Sequence, residues 1–117
     1  MIFNSGTAGE AAAAKYLKKK GYKILEKNFR KTYGEIDIIA QMGENIAFVE
    51  VKTRKSDLFG TPAEFVTVKK QKRIIKAAYT YIQQHDLDAE FTFDIVEVYT
   101  EGRKIKDINH IKNAFYV

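Results

Sequence analysis

Gly34-Glu35-Ile36-Asp37 and Phe48-Val49-Glu50-Val51-Lys52 are two strand-like segments joined across a short turn at Gly43-Glu44. Each carries acids where apolar residues would be easier to bury. If Gly43-Glu44 is a two-residue hairpin loop, Met42 pairs with Asn45. Counting back, Asp37 then faces Glu50 and Glu35 faces Lys52. Side chains alternate along a strand, so all four project from one face. Two carboxylates opposed at that distance repel, and a sheet built only for stability avoids them. A divalent cation between them turns the repulsion into coordination. Asp37 and Glu50 are therefore candidate metal ligands, with the Val51 carbonyl as a further oxygen. Lys52 lies two residues past Glu50 on the same face, where an ammonium orients an attacking water or stabilises a pentacovalent transition state. The structural alternative is a surface ladder in which Glu35 and Lys52 form a favourable cross-strand pair.

Outward from this hairpin, the pattern predicts the order helix, strand, strand, strand, helix, strand, strand. The first helix is expected over 7–20, with Ala11 to Ala14 as strong helix formers and Gly21 at the C-terminal cap. Residues 22–30 form a blurred strand, because Glu26 and Lys27 break its alternation. The central strands are 35–41 and 46–54. On them Ile36, Ile38, Ala40, Ala47, Val49 and Val51 are expected to face one helix. A loop over 56–63 leads to a long helix over 64–84, with Phe65, Val68, Ile75, Tyr79 and Ile82 as its buried stripe. Strands at 90–100 and 104–111 follow, joined at Glu101-Gly102. The fold class is α/β: a mixed sheet of about five strands covered by helices.

The chain has 117 residues, enough for one core, and residues 1–117 are read as a single domain. It has no cysteine, which removes disulfides and thiolate chemistry and suits a reducing cytoplasm. Met1 to Gly9 lacks a basic stretch followed by an apolar run, so no signal peptide is expected. No apolar stretch is long enough to span a membrane. The formal charge is +5. Basic clusters at Lys18-Lys19-Lys20, Arg30-Lys31, Arg54-Lys55 and Lys69 to Arg73 surround the acidic centre. Singly each is a solvated surface; together they resemble a phosphate-binding rim. Lys55, Lys70 and Arg73 are the candidates for gripping backbone phosphates.

Other polar residues are less telling alone. Glu10 near a helix start is ordinary there. Asp94, between Phe93 and Ile95, is costly in a strand unless paired, so it belongs either to a basic partner or near the site. His85 and His110 have no ligand spacing and read as ordinary residues.

Several of these residues come in the order seen in the YraN family of small bacterial proteins. They are Gly9-Glu10, Asn28-Phe29-Arg30, Gly34-Glu35-Ile36-Asp37-Ile38-Ile39, Phe48-Val49-Glu50-Val51-Lys52, Lys70-Gln71, Phe93-Asp94-Ile95-Val96 and Ala114-Phe115. The resemblance covers nearly the whole chain. It implies a restriction-endonuclease-like fold of the PD-(D/E)XK superfamily, similar to archaeal Holliday-junction resolvases. On that resemblance Asp37 matches the first acid, and Glu50 and Lys52 match the acid–x–lysine triplet. Glu10 matches a helix-one glutamate, and Gln71 resembles a helix glutamine of some branches. Two positions depart from the pattern: Ile36 stands where proline is common, and Thr92 where an arginine is expected.

The expected function is that of a Mg²⁺- or Mn²⁺-dependent nuclease hydrolysing DNA, on branched or structured forms. Glu10, Asp37, Glu50 and Lys52 would form the catalytic set, with Lys55, Lys70, Gln71 and Arg73 on the nucleic acid. Resemblance to resolvases, which cut two strands symmetrically, implies a homodimer. The competing readings are a non-catalytic nucleic-acid-binding module of nuclease descent and a protein-interaction domain. Neither needs an acid–x–lysine triplet on one face.

Overall fold

The elements occur in the expected order, and their packing follows from two apolar faces on one sheet. The computed structural model describes residues 5–63 and 65–117. Helix α1 (Ser5–Lys19) is followed by strands β1 (Lys23–Lys31), β2 (Gly34–Met42) and β3 (Asn45–Lys55). A 3₁₀ turn (Ser56–Leu58) leads toward α2 (Val68–His85), then β4 (Glu90–Glu101) and β5 (Lys104–Phe115). The strands form one sheet in the order β1-β2-β3-β4-β5. β3 and β4 run parallel, joined through α2, and the other neighbours are antiparallel. Met42 pairs with Asn45, as the two-residue loop requires.

Each helix covers one face. Ala13, Ala14 and Leu17 of α1 pack with Ile38, Ala40, Ala47, Val49, Val96 and Val98. Ile74, Ala77, Ala78 and Tyr81 of α2 pack with Ile39, Ile46, Phe48, Phe93 and Ile95 on the other face. Alternate residues of β3 thus serve opposite cores. Burying a side chain such as Phe48 is worth about 1.5–3 kcal/mol. The end of α1 is fixed by Gly21, at φ 103°. Its N–H donates to the Lys18 carbonyl and the Tyr22 N–H to that of Leu17, satisfying two carbonyls the helix leaves open.

Three expectations need correction. First, α2 does not begin at Glu64, which lies outside the described residues. It begins at Val68, because the Thr67 hydroxyl accepts the Lys70 N–H at 3.2 Å and caps the helix. Phe65 precedes the helix and is 81% exposed; Val68 and Tyr79 are also exposed, and Ile75 and Ile82 are only partly buried. The buried face runs through Ala77 and Ala78, whose small side chains let the helix lie close on the sheet. Counting only bulky residues puts the stripe on the wrong side.

Second, Ile36 does not share a face with Ile38. It packs in the α2 core, whereas Ile38 packs against α1. Alternation breaks at Asp37, where β2 leaves β3. Third, β5 runs on to Phe115, beyond the expected end at residue 111.

Candidate functional site

The fork between β2 and β3 builds the site. Their ladder stops at Ile38↔Val49, one step before Asp37 would meet Glu50. The Val51 N–H, which would otherwise need a strand partner, donates to Asp37 Oδ2 at 2.7 Å. Asn28 of β1 lies opposite Asp37 by register and has φ 54°, so β1 kinks at the same level. Asparagine tolerates that left-handed conformation better than most residues. Glu35 turns away to Arg30, with Nε at 3.2 Å from Oε2. The Glu35–Lys52 ladder of the structural alternative is replaced by this exposed pair.

Two helices bring further groups to the fork. A Cβ on Gly9 would lie 2.3 Å from Thr53 Oγ1, so only glycine lets α1 approach β3 this closely. That approach delivers Glu10 to the cavity beside Asp37. From α2, Lys70 Nζ reaches Glu50 Oε1 at 2.8 Å. Glu10, Asp37, Glu50, Val51, Lys52, Thr53 and Lys70 line one open cavity of about 370 Å³, with Asn28, Arg30 and Glu35 at its margin. Such a volume admits a hydrated ion together with a phosphate group.

Glu10, Asp37 and Glu50 are held above their ordinary range. Burial raises Glu10 most, and the charge of Asp37 adds to it. Burial also raises Asp37, against the lowering effect of the Val51 N–H. Glu50 is raised by burial and by Asp37, although Lys70 opposes both. Burial alone would lower the Lys70 ammonium; its hydrogen bond and charge contact with Glu50 carry it upward instead.

Of the remaining sequence candidates, Arg73 lines an adjoining cavity with Lys70. Gln71 turns back to donate from Nε2 to the Val66 carbonyl at 2.9 Å, bracing the entry to α2. Lys55 lines a separate depression with Arg54, Asp57 and Glu101. Asp94 is not at the fork. It is buried, its Oδ2 2.8 Å from His110 Nε2 and its Oδ1 accepting the Asn113 N–H at 3.1 Å. His110 is thus the buried partner of an acid, flanked by the rings of Tyr16 and Tyr22, where the sequence suggested an ordinary residue. Glu97 was also missed. It is buried and bonded to Arg54, Tyr99 and Asn109. An acid at the alternating position of an otherwise apolar strand was the available signal for both. For Asn28 the signal was the blurred alternation of β1.

The donor set at the fork is all oxygen: the Asp37 carboxylate, whose charge raises Glu50, the Glu50 carboxylate itself, a third on Glu10, and the Val51 carbonyl. This suits a hard divalent cation such as Mg²⁺ or Mn²⁺, which keeps several waters and needs few protein ligands. Among the described residues, no group of three or more His, Cys, Asp or Glu side chains is placed to hold a metal ion. An ion at the fork would therefore rest on fewer side chains and on water.

Fold and site define a class: a small mixed α/β domain with an acid-lined cleft at the fork of two central strands. The chain belongs to a family described as Uncharacterised protein family UPF0102, whose model matches residues 9–98; this is the YraN family. A UPF0102 protein of Syntrophomonas wolfei is 50% identical over 111 residues, covering 94% of this chain and 96% of its own. That of Caldanaerobacter subterraneus is 51% identical over 113 residues, covering 94% and 93%. That of Clostridioides difficile is 50% identical over 111 residues, covering 94% and 95%. Among the described residues, no helix is long and apolar enough to cross a membrane.

Proposed function

We propose that this protein is a divalent-cation-dependent nuclease that hydrolyses DNA phosphodiester bonds, on branched or structured forms, in the manner of the PD-(D/E)XK superfamily. The single observation that carries the reading is that Glu10, Asp37, Glu50 and Lys52, drawn from three elements, line one open cavity. A fold needing only stability gains nothing from gathering three carboxyls that burial holds above their ordinary range.

Asp37, Glu50 and the Val51 carbonyl would hold Mg²⁺ or Mn²⁺. The bound ion supplies an activated water near neutral pH and neutralises charge on phosphorus. The Val51 N–H fixes the Asp37 carboxylate and leaves its second oxygen to the cavity. Glu10 adds a third carboxyl beside Asp37, and its raised affinity for a proton moderates the negative charge gathered there. Lys52 orients the attacking water or stabilises the charge that develops on the phosphoryl oxygens. Lys70 and Arg73 bind backbone phosphate. A second copy would supply the second cut in a symmetrical substrate, which makes a two-fold dimer part of this reading.

The test is cleavage of junction, flap, single-stranded and duplex DNA with Mn²⁺ or Mg²⁺. Wild type is expected to cut at least one of them, and Asp37→Ala to lose about 100-fold or more. Equal cutting by Asp37→Ala would remove the site. One observation favours a second reading: Lys70 already neutralises Glu50, as suits a binding module that no longer cleaves. Salt-sensitive binding without cutting in any divalent cation would select that reading.

A further inference from the structure

A second cavity, of about 360 Å³, adjoins the carboxylate cleft on the α2 side. Lys31, Lys69, Lys70 and Arg73 line it, with Thr67, Gly34 and the acid Glu35, which is itself turned to Arg30. The two cavities share Glu35 and Lys70. Four cations around one concave surface attract an anion of the size of a phosphate group. The wall is rigid, because Gly34 lies so close to α2 that a Cβ there would come within 2.2 Å of the Arg73 carbonyl oxygen.

We propose that this cavity is a subsite for one backbone phosphate of the substrate, beside the bond held at the carboxylates, and that Lys70 is shared between the two. The proposal rests on the nuclease reading for the identity of the neighbouring bond. Lys70 is pinned to Glu50 at 2.8 Å, yet its side chain is 46% exposed on a flexible stem that borders both cavities. A cation arriving at Glu50 repels the ammonium, and a phosphate in the basic cavity draws it. Lys70 thus stands in for the cation at Glu50 until both arrive. Cation and nucleic acid then favour each other's binding, and the coupling is reciprocal.

Two measurements test this. The first is anisotropy of a fluorescein-labelled single-stranded oligonucleotide in EDTA, over a series of salt concentrations. Lys69→Ala/Arg73→Ala is expected to lower the slope of log affinity against log salt by about 1.4, because two side chains that neutralise phosphates of a single strand are removed. Lys104→Ala/Lys112→Ala, exposed on β5 at the far edge of the sheet, is expected to leave the slope unchanged. No change in the first pair, or equal falls in both, overturns the subsite. The second is Mn²⁺ calorimetry on the protein alone. Lys70→Met is expected to bind Mn²⁺ about tenfold tighter than wild type, a displacement free energy of about 1.4 kcal/mol, and Lys70→Arg to match wild type. Equal affinity in Lys70→Met and wild type overturns the sharing. The subsite and the nuclease reading fail separately: an unchanged slope with Mn²⁺-dependent cutting sinks only the subsite, and the expected slopes without cutting of any DNA sink only the nuclease.

Discussion

Glu10, Asp37 and Glu50 bind a proton more tightly folded than unfolded, since burial disfavours their charged forms, helped by the charge of Asp37 on Glu10 and Glu50 and by that of Glu35 on Asp37. The folded chain therefore holds more protons than the unfolded one once the unfolded carboxyls ionise, near about pH 4. Their contribution to stability is full below that range and is lost as pH rises through the raised folded values. Asp37→Asn removes one such charge, while its amide oxygen still accepts the Val51 N–H. At about pH 7.5 in EDTA this variant is expected to be more stable than wild type by about 0.5–2 kcal/mol. The gain should shrink toward pH 4, and urea midpoints at the two pH values measure it. A destabilised variant at neutral pH would show that Asp37 is held for structure. Asp94 makes the opposite case, because its oxygens serve His110 and the Asn113 N–H inside the sheet. Asp94→Ala orphans a buried donor and is expected to cost about 1–3 kcal/mol, seen as a lower urea midpoint at neutral pH. Two acids of one sheet, on β2 and β4, are thus separated by the sign of their effect on stability.

At the scale of elements, the contact of β2 with α2 joins the carboxylate fork to the basic cavity. Gly34 has an ordinary φ, so its glycine is needed for space and not for conformation. The atoms that a Cβ would meet are the backbone of Arg73, which cannot rotate away. Gly34→Ala is expected to cost about 1–3 kcal/mol, as overpacking does, and to weaken the Lys70–Glu50 contact by shifting α2. Denaturant midpoints read the first, and a chemical-shift change at the Lys70 amide beyond that of remote amides reads the second. Nothing in the sequence marks this contact, because Gly34 precedes a strand and looks like turn punctuation. What was legible had a local cause. The Gly43-Glu44 loop set the β2–β3 register, and Gly21 marked the end of α1. The misplaced buried face of α2 had a tertiary cause: the sheet selects the small side chains of Ala77 and Ala78. The break in β2 was hidden for a related reason. The acids that announced a site also end the ladder, through the Asp37–Val51 bond, so counting strand residues past them put Ile36 on the wrong face. Glu10 entered only through family resemblance, since no local pattern relates a helix residue to a strand 27 positions later.

The molecule as a whole has two apolar cores on opposite faces of one sheet, and β3 and β4 belong to both. α1 lies across the sheet, and its docking depends on Ala13, Ala14 and Leu17 meeting Ile38, Ala40, Val49, Val96 and Val98. The site depends on the same docking, because α1 carries Glu10 while α2, across the sheet, carries Lys70. Leu17 is fully buried, and Leu17→Ala is expected to cost about 2–5 kcal/mol through lost burial and the cavity left behind. Shared strands make it hard for one core to open while the other holds. The transition should therefore stay single, with far-UV circular dichroism and tyrosine fluorescence coincident in urea and the slope of free energy against denaturant unchanged. The tyrosines report both sides, since Tyr22 lies in the α1 core and Tyr81 in the α2 core. Non-coincident curves in Leu17→Ala would mean that α1 undocks from an intact α2 half, and Glu10 would then leave the fork in a partly folded molecule. Coincident curves mean that the carboxylate cluster exists only in the fully folded chain, so any loss of Mn²⁺ binding in this variant should track the unfolded fraction measured under the same conditions.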